Sequence, residues 1–60
     1  MKTLELLYLR AIRQADELAT TLRRLETEAQ DSGNVNTAEN VSSLLVDAED
    51  VRDALKETQP

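Results

Sequence analysis

The chain has 60 residues, with seven basic and twelve acidic side chains, a net charge of −5, and neither cysteine nor histidine. That composition excludes disulfides and the usual zinc ligand sets, and it argues against duplex nucleic acid, whose binding leans on Lys and Arg neutralising phosphates. A single domain over residues 1–60 lies near the lower limit of independent stability, so self-association is the remaining route to an adequate core.

Tyr8 is the one aromatic residue. The core must therefore be Leu, Val and Ala, which suits close-packed helices, and the β-branched alternation of strands is scarce. No apolar run approaches the roughly 18–20 residues of a membrane span, and no charged-then-apolar leader is present. The negative charge also disfavours stable attachment to anionic lipid. Met1 leads straight into helical sequence, and the expectation is a soluble, cytoplasmic protein, complete as given.

In chain order, Thr3 reads as a helix N-cap, with Glu5 near the positive end of the helix dipole. Leu4, Tyr8, Ala11, Ala15, Leu18, Leu22, Leu25 and Ala29 then recur at alternating steps of four and three. This heptad seam predicts a first helix over about 4–30, free of Gly and Pro. Asp31-Ser32-Gly33-Asn34 breaks the pattern, Gly33 being a natural helix-ending residue. Asn36-Thr37-Ala38-Glu39 resembles a capping box and opens a second helix over about 37–57, with Pro60 beyond it. Its seam is Val41, Leu44, Ala48, Val51 and Leu55, with Ala38 and Leu45 alongside.

The loop of about five residues makes the helices antiparallel neighbours. A two-helix hairpin has one interface and little core. The predicted fold is therefore an all-α antiparallel helical hairpin that dimerises into a four-helix bundle, with coiled-coil-like seams. Alanines on the seams permit close approach, and Gly33 with the cap signals argues against one long continuous coiled coil. Leu18, Leu22, Leu25, Leu44, Ala48 and Val51 are expected in the core.

The first helix is the longer, so Glu57 should lie near Arg10 and the first two turns should run uncovered. There Leu6 and Leu9 each sit about 150° from the seam. With Arg10 and Arg13 continuing their face, they form an apolar patch with a basic edge, at the anchor spacing by which an amphipathic helix is bound. Leu6, Leu9, Arg10 and Arg13 are the candidate protein-binding residues.

Catalytic chemistry finds little support. Asp47, Glu49, Asp50 and Asp53 make the densest acidic cluster, but one helix offers too few converging oxygens for Mg²⁺ or Ca²⁺. They read as a solvated face, with Arg52 and Lys56 offering intrahelical pairing. Ser32, Ser42 and Ser43 have no histidine to activate them, and the single glycine provides no phosphate loop. No enzymatic activity, metal or cofactor is expected. Arg10, Arg13 and Arg24, with Arg23 nearby, would give a nucleic-acid reader its face. Glu17 and Glu28 interrupt that face, as i,i+4 partners of Arg13 and Arg24, and aromatic stacking residues are absent.

Two helices of about 25 residues joined at a short turn, in a chain near 60, resemble the plasmid Rop family in length, turn position and heptad layout. The resemblance implies a homodimeric four-helix bundle that binds paired RNA loops on one face. The basic, amide and aromatic residues of that RNA face have no counterpart motif here, since the chain has no Phe and mixed outer charge. Small secretion chaperones and phage or plasmid regulators share the plan. The reading is a small regulatory adaptor that binds protein, with a Rop-like RNA- or DNA-binding regulator as the alternative.

Overall fold

The computed structural model of the chain describes residues 2–59, which form two helices, α1 (Lys2–Asp31) and α2 (Val35–Thr58), packed against each other as a hairpin. Met1 and Pro60, read as preceding and following the helices, lie outside the described residues. The hairpin is a flat rod of 48 × 14 × 9 Å. Its long dimension is that of α1 alone, since thirty residues at about 1.5 Å each span roughly 45 Å.

The turn is tighter than expected, residues 32–34 only, because one residue serves both helices. Asn34 N–H donates to the Ala29 carbonyl at 2.8 Å and Gly33 N–H to the Gln30 carbonyl at 3.0 Å. This paired closure is the Schellman motif, and Gly33 takes the left-handed conformation it needs, with φ +75°. Asn34 then caps α2. Its side-chain oxygen accepts from Thr37 N–H at 3.2 Å, and its carbonyl accepts from Ala38 N–H at 3.1 Å. The cap is therefore Asn34 rather than Asn36, which lies within the first turn of α2. At the other end, Thr3 is inside α1 and does not cap it.

The helices meet along a row that the leucine pattern does not mark. On α1 it runs Tyr8, Ile12, Ala15, Ala19, Leu22, Glu26 and Ala29, again alternating four and three, with Ala15, Ala19 and Ala29 buried and the others half-buried. On α2 it runs Ala38, Val41, Leu45, Ala48, Arg52 and Leu55, with Ala38, Val41 and Ala48 buried. The expected seam shares Tyr8, Ala15, Leu22 and Ala29 with this row on α1, and Val41, Ala48 and Leu55 on α2. Its remaining members turn away. Leu4, Leu18, Leu25, Leu44 and Val51 are exposed in the hairpin and Ala11 is half-buried. Of the residues expected in the core, the hairpin thus buries Ala48 and half-buries Leu22, leaving Leu18, Leu25, Leu44 and Val51 open.

The physical reason is the width of the apolar sector. Beside the contact row, about 70° from its midline at 100° per residue, lie Leu18 and Leu25 on α1 and Leu44 and Val51 on α2. The row rich in alanine allows the axes to approach most closely, and it is the one the hairpin uses. The resulting core is thin. Among the described residues, the buried set is five alanines and Val41, and no large side chain is fully enclosed.

Candidate interaction surfaces

Two ion pairs bridge the helices and mark their register. Arg52 Nη1 lies 3.3 Å from Asp16 Oδ1, and Arg23 Nη2 lies 2.8 Å from Glu49 Oε2. Counting outward from the first, Thr58 at the end of α2 stands level with Arg10. The first turns of α1 therefore run past α2, with Gln59 reaching a shallow hollow beside Glu5, Tyr8 and Leu9.

On that overhang, Leu6 is 65% and Leu9 57% exposed, on the side of α1 away from α2. Leu6, Leu9, Arg10 and Arg13 share one shallow, open stretch of the α1 surface with Gln14 and Glu17. The four residues singled out from periodicity thus share a surface. Gln14 and Glu17 were missed as its lining, although each lies four residues beyond one of the two arginines. Glu17 means that this stretch is basic on one side and carries a carboxylate at its end. No described residue forms an ion pair with Arg10, Arg13 or Arg24. The i,i+4 pairs expected for Arg13 with Glu17 and Arg24 with Glu28 are not formed among the described residues, which place their ion pairs between helices and at Arg52–Asp53 instead.

A groove lies on one edge of the hairpin, between α1 and α2. Ala15, Leu18 and Leu22 face Leu44, Ala48 and Val51 there, and Asp47 is the one charged residue in the lining. Leu25 continues the α1 side of this edge. The opposite edge differs in kind. Asp16 and Arg23 lie about 70–90° from the contact row in the other rotational sense, and their pairs with Arg52 and Glu49 close that side with charge. Arg52 also donates from Nε to Asp53 Oδ1 at 3.0 Å. Its pKa is raised above the ordinary arginine value, chiefly by the Asp53 hydrogen bond, against an opposing effect of burial, with Asp16 adding to the rise.

The acidic cluster of α2 is divided by this geometry. Glu49 and Asp53 are engaged by arginines, whereas Asp47 borders the apolar groove. Among the described residues, no three acidic side chains converge as a metal site would require. No described helix is long and apolar enough to cross a membrane. Comparisons with protein families, curated proteins and solved structures found no match.

Proposed function

We propose that the chain is a non-enzymatic adaptor that works as a homodimeric four-helix bundle and binds a protein partner through the outer face of the N-terminal half of α1. The observation that carries the partner-binding part is that Leu6, Leu9, Arg10 and Arg13 lie together on one exposed face of α1, on the side away from α2. Two exposed leucines three residues apart, bordered by cations, offer anchor sites to the apolar face of an amphipathic helix with acidic flanks. The thin alanine core supports the dimer, since a hairpin with so little buried apolar surface gains stability only by covering more of it.

The test compares the wild-type chain with a Leu6→Glu, Leu9→Glu double variant, each immobilised and used to capture partners. The variant should keep its helix content and melting temperature and lose capture. If it unfolds instead, the two leucines are structural and the docking reading fails. The second reading, RNA or DNA binding, is favoured by one observation, that Arg10, Arg13 and Arg24 are exposed without an ion-pair partner among the described residues. Retention on heparin at low salt, declining steeply as salt rises, would establish it in place of protein binding.

A further inference from the structure

The two long edges of the hairpin are chemically opposite. One is closed by the Arg23–Glu49 and Arg52–Asp16 pairs. The other presents Leu18, Leu25, Leu44 and Val51, between 46% and 55% exposed, around the half-buried Leu22. Both helices contribute to this apolar edge, and it is continuous with the buried alanine row through Ala15 and Ala48.

The surface area carries the same message. A compact monomer of 6.7 kDa exposes about 3,900 Å². The hairpin exposes 4649 Å². The excess is about 750 Å², close to the roughly 800 Å² that each partner contributes to a standard interface. Resting on the dimeric reading above, we infer that a second copy of the chain covers the edge formed by Leu18, Leu22, Leu25, Leu44 and Val51. The two copies meet through the same edge, leucine row against leucine row, in an isologous contact.

Geometry and charge both fit this occupant. In a four-helix bundle each helix touches one neighbour in its own hairpin and one in the other, along rows roughly at right angles. The alanine contact row, and the exposed Leu18, Leu25, Leu44 and Val51 about 70° from its midline, provide those two directions. Asp47 is the one carboxylate at the edge, so a chain of net charge −5 can approach its own copy there with little repulsion. The pairing leaves the ion-paired edges outermost. It also leaves the Leu6–Leu9 surface on an outer face, open to a different molecule.

The experiment combines solution mass with cysteine cross-linking, which the cysteine-free sequence makes simple. Light scattering of the wild-type chain should give twice the chain mass; a monomer throughout would overturn both the dimeric reading and this assignment. Of Leu18→Cys, Leu44→Cys and Val51→Cys, which span the edge, the position nearest the two-fold axis should be joined into a covalent dimer by a bismaleimide reaching about 8–10 Å, the spacing of packed helices, and Leu9→Cys should not. Leu44→Glu with Val51→Glu should abolish the dimer, while Leu6→Glu with Leu9→Glu should retain it. A wild-type dimer that survives the Leu44→Glu, Val51→Glu change, or that cross-links through Leu9→Cys and through none of the edge positions, would overturn the edge assignment alone. If the charged variant loses its helices, the cross-linking result decides.

Discussion

Enlarging Ala19 tests the close approach of α1 and α2 most sharply. Ala19 is 0% exposed, the most deeply buried side chain described, and its row neighbour Ala15 and the facing Ala48 are buried as well. Leu is nearly as good a helix former as Ala, so Ala19→Leu leaves intrinsic helicity almost unchanged and acts through packing. Three added carbons have no space between axes held together by alanines. Overpacking of this kind costs about 1–3 kcal/mol. A 60-residue domain has roughly 3–9 kcal/mol of stability in total, at about 0.05–0.15 kcal/mol per residue. One such substitution therefore removes a large share of it. At about 4–8 °C per kcal/mol for a domain of this size, the midpoint should fall by roughly 4–24 °C. Thermal melting followed by circular dichroism reads the shift. Thr20→Leu, at the exposed neighbouring position, is the control and should be neutral or slightly stabilising. If Ala19→Leu melts at or above the wild-type temperature, the helices are not in close contact along the alanine row.

Gly33→Ala should lower stability by about 1–2 kcal/mol through the left-handed backbone alone, because an added Cβ meets nothing within 4 Å. Gly33→Asn should recover part of that loss in the same thermal melt. Asn34→Ala removes the acceptor for Thr37 N–H and should cost about 1 kcal/mol, measurable by urea denaturation, with Asn34→Asp largely restoring it. Arg23→Ala breaks the partly exposed pair with Glu49 and should cost roughly 0.2–1 kcal/mol, a difference that shrinks in high salt.

Helix number, type and order were legible because heptad spacing and the single glycine are local signals. The hairpin contact was harder to read. Leucines advertise a seam strongly, yet two rows share Tyr8, Ala15, Leu22 and Ala29, and sequence alone does not say which row meets the chain's own second helix. The row that does includes Glu26 and Arg52, both half-buried. Long side chains can lay their aliphatic stems against such a contact while their charged ends reach water, so a charged residue in the pattern was no sign against it. The cap was displaced by two residues because both 34 and 36 are Asn, and only the hydrogen bonds distinguish them. At the surface, the Leu6, Leu9, Arg10 and Arg13 cluster followed from periodicity within one helix. The pairs Arg23–Glu49 and Arg52–Asp16 did not, because they depend on the register between helices, which the turn sets.

Solution mass by light scattering over a wide concentration range tests the central claim most directly. The wild-type chain should be a dimer that persists on dilution. A folded, fully helical monomer at every concentration would contradict it, because the exposed Leu18, Leu25, Leu44 and Val51 would then need no second copy to cover them.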